Sequence, residues 1–264
     1  MQPGSHQFFT LITGANSGIG LELARQAAAD GHDLILVARD VSRLETAADE
    51  LGRSVKVHII AENLSQPEAA ERVSVQVRAF GAEIDCLINN AGFGDYGAFA
   101  ASDLAKQQRM IGVNITSLTA LTRLFLSAML AQGRGHILNV ASVAGFLPGP
   151  LMSVYYATKH YVLAFSESLI EELRGSGVKV TVLCPPPVST AFSRTARIAP
   201  ENYMAATRTT PAEVARYGYR MMKRGKPIAV YGFPYRFLTA FLLRVTPRFA
   251  LRRLLHRMNA QGSH

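Results

Sequence analysis

A tyrosine, a lysine and a serine are spaced so that they could form one catalytic group. Tyr155 and Lys159 lie four residues apart, and Ser142 lies thirteen positions before the tyrosine. Residues four apart share one face of a helix, so Tyr155 and Lys159 can point into the same cleft, and this spacing selects Tyr155 over the neighbouring Tyr156. A free tyrosine has a pKa near ~10, and a nearby ammonium lowers that pKa. The pair is therefore a candidate general acid or base.

A glycine-rich turn near the start of the chain predicts a nucleotide site. The stretch 13–20 reads Thr-Gly-Ala-Asn-Ser-Gly-Ile-Gly and joins an apolar run, 8–12, to a helix-like stretch. Glycines here allow a tight turn and close backbone approach to a pyrophosphate at the helix N-terminus. The predicted contacts are Gly14, Asn16, Ser17, Gly18, Ile19 and Gly20. Together with the tyrosine and lysine, this turn indicates an oxidoreductase.

The rest of the chain alternates between strand and helix patterns. Strands are predicted at 8–12, 33–38, 55–60, 84–88, 135–140, 178–184 and 227–231. Helices are predicted at 19–30, 41–51, 67–80, 103–131, 153–175 and 211–224. This alternation predicts an α/β fold, a single doubly wound parallel seven-stranded sheet (Rossmann fold) with helices on both faces. We expect one domain at 1–232, a C-terminal helical extension at 233–264, and a mobile lid at 188–210.

Composition narrows the class of protein. The 264 residues are 48% hydrophobic and 18% charged, which suits a globular domain with a sizeable core. The two cysteines, Cys86 and Cys184, lie in apolar strand-like runs and are expected to be buried free thiols, which fits a cytoplasmic protein. No metal is expected at the site. The first six residues do not resemble a signal peptide, and we expect no apolar run that approaches the ~20 residues needed to span a bilayer.

The net charge of +9 is confined to the C-terminal part of the chain. From Val214 onward there are 11 Lys and Arg residues and no acidic residue, whereas the preceding chain has 17 basic and 19 acidic residues. A nearly neutral body argues against nucleic-acid binding. Two amphipathic helices separated by Pro247 are predicted in this tail. They could attach the protein to an anionic membrane surface, or pack on the domain or across a subunit interface.

The end of the second strand bears on the choice of cofactor. An acidic residue there would accept a hydrogen bond from the ribose 2′-hydroxyl of NAD, and a basic residue would favour the 2′-phosphate of NADP. The strand closes with Ala38 and is followed by Arg39 and Asp40. We therefore expect NADP(H) rather than NAD(H). The alternative is that Arg39 is a solvated loop residue and Asp40 reaches the ribose.

These motifs together resemble the short-chain dehydrogenase/reductase family over nearly the whole chain. The glycine turn, the Asn-Asn-Ala-Gly sequence at 89–92, and Asn114, Ser142, Tyr155 and Lys159 follow the order and spacing of the family's motifs. The extension and the helix after the lysine are similar to an NADP-dependent reductase branch that includes very-long-chain 3-oxoacyl reductases. The resemblance also implies a homodimer or homotetramer.

The resemblance implies a role for each matching residue. Tyr155 would exchange a proton with the substrate oxygen, and Ser142 would orient that oxygen. Lys159 would lower the tyrosine pKa and hold the nicotinamide ribose, while Asn114 would hold a water linking the lysine to solvent. Asn114 is a poor helix former inside a good helix, which suggests a local distortion. Asn90, Ala91 and Gly92 would contact the cofactor's ribose.

Two departures from the family pattern affect the expected cofactor contacts. An aspartate is usual after the third strand, where this chain has Asn63 and Leu64; the Asn63 amide oxygen could still accept a hydrogen bond from adenine. A Pro-Gly sequence is usual after the sixth strand, where this chain has three prolines in succession at 185–187. The proline ring fixes φ, so this loop should be stiffer. The expected contacts in this loop are Pro185, Val188 and Thr190.

The residues expected around the reacting carbon are almost all apolar. They are Phe93, Tyr96, Phe146, Leu147, Met152, Pro187 and Phe192. None is a lysine or arginine that could bind a carboxylate, so we expect a hydrophobic carbonyl or alcohol as substrate. Core or lid packing is an equally good interpretation for half of them. The alternatives for function are a non-catalytic nicotinamide-nucleotide sensor on the same fold and a membrane-associated 3-oxoacyl or lipid reductase.

Overall fold

Seven parallel strands form one sheet in the computed structural model, which describes residues 8–188, 192, 196, 209–242 and 246–260. The strands are β1 Phe8–Thr13, β2 Asp33–Ala38, β3 Val57–Ala61, β4 Glu83–Asn89, β5 Gly135–Val140, β6 Val178–Cys184 and β7 Ile228–Val230. Their spatial order is β3-β2-β1-β4-β5-β6-β7. The predicted Rossmann fold is confirmed, and the largest strand error is at β3, which begins two residues later than predicted.

Helices cover both faces of the sheet. They are α1 Gly18–Ala29, α2 Val41–Leu51, α3 Ala69–Ala79, α4 Leu104–Ile111, α5 Leu118–Gln132, α6 Ser153–Glu172 and α7 Pro211–Lys223. Buried residues of α1, α2 and α7 form one apolar cluster with one face of the sheet. Those of α3, α5 and α6 form a second cluster with the other face. All six residues of β2 are buried, because a central parallel strand lies between two helical layers.

The long helix predicted at 103–131 is interrupted. A π-helix, Gly112–Ser117, lies between α4 and α5 and contains Asn114. A π-helix places an extra residue in the turn, often at a functional site. The expected local distortion at Asn114 is therefore confirmed.

The continuous stretch from α4 to α5 has the length and composition of a membrane-spanning helix. Its most apolar window has a mean hydropathy of 1.4, contrary to the expectation that no such run exists. About 44% of that window is buried inside the protein, and α5 contributes Leu121, Phe125 and Met129 to the core. These contacts identify it as a core helix of the domain.

The C-terminal residues form short helices after β7. They are α8 Phe233–Phe237, a π-helix Leu238–Leu242 and α9 Arg248–Ala260. Pro247 precedes α9, as predicted. The expected boundary at 232 falls between β7 and α8, and the division into domain and extension stays a prediction. Most of the expected lid at 188–210, including Thr190, lies outside the described residues.

The order of the strands determines where a ligand can bind. The chain runs from β1 outward to β3 on one side and from β4 outward to β7 on the other, so the order reverses between β1 and β4. In open parallel sheets, ligands bind in the crevice at the carboxyl ends of the strands at such a reversal. The glycine turn follows β1, and the Asn-Ala-Gly sequence at 90–92 follows β4. Both motifs therefore meet at this crevice.

Candidate active site

The glycine turn is shaped by close backbone packing. Gly14 has a φ of +66°, and its N–H donates to the Val37 carbonyl at 2.7 Å. A Cβ atom on Gly20 would lie 2.2 Å from the Gly14 carbonyl oxygen, so only glycine lets α1 rest directly on the turn. Gly18 also has a positive φ, which glycine tolerates at no steric cost.

The turn is bound to the end of β4 through Asn90 and Thr13. The Asn90 side-chain nitrogen donates to the Thr13 carbonyl at 2.9 Å and to the Gly14 carbonyl at 3.2 Å. In return, the Thr13 hydroxyl accepts from the backbone N–H groups of Asn90 and Ala91, both at 3.0 Å. The amide of Asn90 therefore holds the two strand ends together.

The N-terminus of α1 is open at this turn. Ser17 is the N-cap residue in an extended conformation, and its side chain makes no capping hydrogen bond. The first N–H groups of a helix have no partner within the helix, and they carry the positive end of its dipole. This arrangement fits an anionic group such as a pyrophosphate.

One cleft of about 670 Å³ extends from this turn across the sheet edge to the tyrosine and lysine. The predicted contacts that line it are Gly14, Asn16, Ser17, Gly18, Ile19, Arg39, Leu64, Asn90, Ala91, Gly92, Phe93, Ser142, Leu147, Met152, Tyr155, Lys159, Pro185, Pro187, Val188 and Phe192. Residues 20, 63, 96, 114 and 146 do not line it. Gly20 lies behind the turn, where its lack of a side chain lets α1 pack against Gly14.

Lys159 brings a buried ammonium to the floor of the cleft. Its side chain is 6% exposed and donates to the Val140 carbonyl at 2.8 Å. Burial lowers the pKa of Lys159 from 10.5 to about 8, because an ammonium is stabilised by water that the interior lacks. The ammonium lies 5.9 Å from the centroid of the Tyr155 ring, so the predicted pairing on α6 is present.

Asn114 stands behind the lysine. Its side-chain oxygen accepts from the Phe93 N–H at 3.1 Å, and its nitrogen donates to the Phe93 carbonyl at 3.0 Å and to the Thr158 hydroxyl at 3.0 Å. A Cβ atom on Gly92 would lie 3.1 Å from the Asn114 oxygen and 3.6 Å from the Lys159 nitrogen. The π-helix thus joins the loop after β4 to α6, and Gly92 leaves the space between them.

Ser142 follows β5 and faces the same cleft. It is the N-cap of a short 3₁₀ helix, Val143–Phe146, and its hydroxyl oxygen accepts from the Ala144 N–H at 3.1 Å. The hydroxyl also lies 3.4 Å from the Pro185 carbonyl, which accepts a hydrogen bond from it. Ser142 is therefore held between β5 and the proline loop.

A second arginine, absent from the sequence-based prediction, lines the adenosine end of the cleft. Asp40 is the N-cap of α2 and accepts from the Arg43 backbone N–H at 3.1 Å, and its carboxylate lies 3.3 Å from the Arg43 guanidinium. Arg39, Asp40 and Arg43 all line the cleft, and the Asp40 carboxylate is at the same time engaged with the start of α2. The signal available in the sequence was the Asp-x-x-Arg spacing at a helix start.

Glu62, which the sequence analysis did not select, lines the cleft in place of Asn63. The Asn63 side-chain oxygen accepts from the Ser65 N–H at 3.2 Å and the Ser65 hydroxyl at 2.9 Å. This local turn holds the amide away from the cleft. Hydrogen bonds from Arg72 hold the pKa of Glu62 below its usual value, so a carboxylate is present there.

The far end of the cleft has an apolar wall. The Phe192 ring lies 5.1 Å from the Tyr155 ring, and a Cβ on Gly94 would lie 2.7 Å from Phe192 and 3.3 Å from Met152. Phe146 instead packs against a core cluster beneath the site. Tyr96 is partly buried outside the cleft lining.

The cysteines stand apart from this chemistry. Cys86 and Cys184 are both free and buried, as predicted. Burial raises the pKa of each thiol to about 12, which keeps it protonated and unreactive.

Comparison with known proteins assigns a family to this arrangement. Residues 9–201 match the family described as short chain dehydrogenase. The chain is 34% identical over 202 residues to galactitol 2-dehydrogenase (L-tagatose-forming) of Cereibacter sphaeroides, a match covering 76% of this chain and 79% of that protein. It is 35% identical over 195 residues to human 17-beta-hydroxysteroid dehydrogenase type 3, covering 70% of this chain and 61%, less than two thirds, of that relative.

Solved structures show the same architecture. A short-chain dehydrogenase from Sphingobium yanoikuyae in complex with NADPH has a TM-score of 0.79 at 33% identity. The match covers 89% of this chain and 93% of that one. Other similar structures were solved with NADP and with NAD.

The buried lysine predicts a pH-dependent stability. The folded pKa of about 8 lies below the ordinary 10.5, so the unfolded chain binds more protons between these pH values. Protonation of Lys159 therefore opposes folding below pH 8, and stability should rise as pH increases through this window, by about 1–3 kcal/mol. Urea unfolding of wild type and Lys159→Met from pH 7 to 10 measures the difference.

The exposed Lys226 provides the matched control, because Lys226→Met removes an ammonium that is already in water. The curves of wild type and Lys226→Met should run parallel. Parallel curves for Lys159→Met as well would contradict the predicted burial cost.

Proposed function

We propose a specific reaction for this chain, which belongs to the short-chain dehydrogenase family and is an oxidoreductase of that family. The reaction is hydride transfer between NADP(H) and a hydrophobic carbonyl/alcohol pair, with Tyr155 as general acid or base. The observation that carries the proposal is the single cleft that joins the glycine turn to Ser142, Tyr155 and Lys159. A nucleotide and a proton-transfer group can therefore act on one substrate.

The residues present fit a nicotinamide dinucleotide. Gly14 and Gly20 let the turn close tightly against Asn90 and Ala91, and the uncapped N-terminus of α1 suits a pyrophosphate. Arg39 and Arg43 would hold the adenosine end, and Lys159 with the Ala91–Gly92 backbone would hold the nicotinamide end. When bound, the nicotinamide supplies or accepts the hydride.

Two guanidinium groups support NADP(H) over NAD(H). A 2′-phosphate carries charge that arginine binds with strong hydrogen bonds, whereas a ribose 2′-hydroxyl needs an acceptor such as a carboxylate. Two carboxylates also line the cleft, but Asp40 caps α2 and pairs with Arg43, and Glu62 accepts hydrogen bonds from Arg72. These bonds weigh against the alternative in which Asp40 binds the ribose.

The chain's own groups then have complementary tasks. Tyr155 donates a proton to the carbonyl oxygen in reduction and accepts it in oxidation, and the Ser142 hydroxyl orients that oxygen. The Lys159 ammonium, still mostly protonated at pH 7 with a pKa of about 8, favours the phenolate form of Tyr155. Asn114 fixes the loop after β4 relative to Thr158, the residue before the lysine.

The wall around Tyr155 supports a hydrophobic substrate. Phe93, Leu147, Met152, Pro187 and Phe192 line the end of the cleft where the substrate would enter. The similarity to a hydroxysteroid dehydrogenase agrees with this proposal, while the similarity to a galactitol dehydrogenase would favour a polar substrate. The wall favours an apolar substrate, because burying the hydroxyl groups of a polyol against apolar side chains would cost free energy.

Removal of the tyrosine hydroxyl should abolish turnover without abolishing cofactor binding. Tyr155→Phe leaves the ring that packs near Phe192 but removes the only proton that the proposal transfers. We expect a loss of at least ~10²-fold in kcat with apolar ketones, and a Kd for NADPH within about threefold of wild type. NADPH oxidation rates and nicotinamide fluorescence titrations measure the two quantities.

The neighbouring Tyr156→Phe is the matched control and should keep most of the turnover. Equal losses in the two variants would contradict the role of Tyr155. Tight NADPH binding by wild type with no turnover on any carbonyl would favour the nucleotide sensor instead.

The two arginines should determine the preference for NADPH. Each charged hydrogen bond to a phosphate contributes about 1.5–3 kcal/mol, so Arg39→Ala and Arg43→Ala should each weaken NADPH binding at least ~10-fold and NADH binding little. Titrations of both cofactors with each variant measure this difference. Arg53→Ala, at an exposed position after α2, should leave both affinities unchanged. A wild-type preference for NADH would refute the proposal for Arg39 and Arg43.

A further inference from the structure

The C-terminal helices present aromatic side chains to solvent. Phe233, Phe237 and Phe241 are 79%, 56% and 62% exposed and follow one another at four-residue steps through α8 and the π-helix after it. The rings of Phe237 and Phe241 stack with centroids 5.8 Å apart. This spacing makes one aromatic stripe on one side of the segment.

The opposite side of the same segment faces the domain. Tyr235, Leu238 and Thr239 are partly buried, and Tyr235 packs against the core cluster that also contacts Phe146. The segment is therefore fixed on the domain by one side while the aromatic stripe points away. Among the residues that the structure describes, the stripe is therefore exposed and does not pack on the core.

The second helix adds apolar and basic side chains. On α9, Phe249 and Leu254 are 58% and 56% exposed, and Arg252, Arg253 and Arg257 are exposed beside them. Within the described part of the chain, none of these three arginines forms a salt bridge. There is also no acidic residue after Glu213 to neutralise them.

We propose that α8, the π-helix after it and α9 form a docking surface for an anionic lipid bilayer. Exposed phenylalanines can enter the boundary between headgroups and acyl chains, while arginines remain at the level of the negatively charged headgroups. Each arginine near an anionic leaflet strengthens attachment, and several are needed because each contributes little. Charge complementarity selects this partner, since residues 233–264 carry six arginines and no acidic residue, whereas residues 1–232 carry 22 basic and 19 acidic residues.

The position of the surface relates it to the cleft. Because all the strands are parallel, β7 ends at the same edge of the sheet as β1 and β4, and α8 begins there. Tyr235 packs against the same core cluster as Phe146. Phe146 is the last residue of the short 3₁₀ helix that begins after Ser142. Docking would therefore hold the cleft-bearing edge next to the bilayer, where an apolar substrate would concentrate.

Vesicle co-sedimentation of the full chain tests the proposal. The probes are vesicles of pure phosphatidylcholine and vesicles with about one third phosphatidylserine. We expect strong binding to the anionic vesicles only, weakening with added salt. Arg252→Gln with Arg253→Gln should reduce partitioning roughly thirtyfold. Each arginine near the surface contributes about 1 kcal/mol, and about 1.4 kcal/mol corresponds to a tenfold change in partitioning. Phe237→Ser with Phe241→Ser should reduce it at least ~10-fold.

Matched variants elsewhere on the chain distinguish the surface from general effects. Arg53→Gln with Arg123→Gln removes the same charge from exposed positions on the domain, and Phe99→Ser removes a phenylalanine that is 62% exposed. Both should bind vesicles like wild type. Unchanged circular dichroism and unchanged NADPH affinity in the tail variants would show that they remain folded, independently of whether any substrate is turned over.

Two results would overturn the proposal. The first is no binding of wild type to anionic vesicles, and the second is equal binding by the tail variants and wild type. In the first case, sedimentation velocity of wild type and of Phe237→Ser with Phe241→Ser tests whether the variant loses oligomers that wild type forms. That loss would identify the aromatic stripe as an interface between copies of this chain.

Discussion

The site depends on the hydrogen bonds that join the end of β1 to the end of β4. Asn90 and Thr13 exchange four hydrogen bonds across the point where the strand order reverses, counting the donation to Gly14 and the N–H of Ala91. Thr13 is buried, so each unmade bond would leave a polar group without water. These bonds hold the glycine turn open towards the crevice. They also set the start of the loop that leads to Gly92.

A second constraint is the cost of placing an ammonium inside the domain. Lys159 is held by the Val140 carbonyl, and α6 is tied through Thr158 to Asn114 in the π-helix. Burial lowers the lysine pKa and so opposes folding at neutral pH. The domain tolerates this cost because the two helical layers stabilise it. The same burial keeps the ammonium near Tyr155, 5.9 Å from its ring centroid, and shielded from solvent, which would strengthen the proposed effect on the phenol.

Basic residues occur in two separate regions, and each region has its own proposed role. Arg39 and Arg43 stand at the cleft, where a single extra phosphate would distinguish two cofactors. The excess of basic residues lies instead after Glu213, beyond the residues that line the cleft. The parallel sheet brings both regions to one edge, since strands β1, β2 and β7 all end there. The proposed cofactor selection and the proposed bilayer docking therefore involve separate groups of basic residues at one edge of the sheet.

The sequence by itself determined the alternation of strands and helices, the glycine turn, and the pairing of Tyr155 with Lys159, because hydrophobic periodicity and i,i+4 spacing are local properties. It also indicated the distortion at Asn114. Only the tertiary structure decided which side chains face the cleft. Asn63 turns back to Ser65, Phe146 enters the core and Arg43 reaches the cleft from the next helix. A side chain's choice between a local hydrogen bond, the core and a shared cleft depends on neighbours distant in sequence, which no local pattern contains.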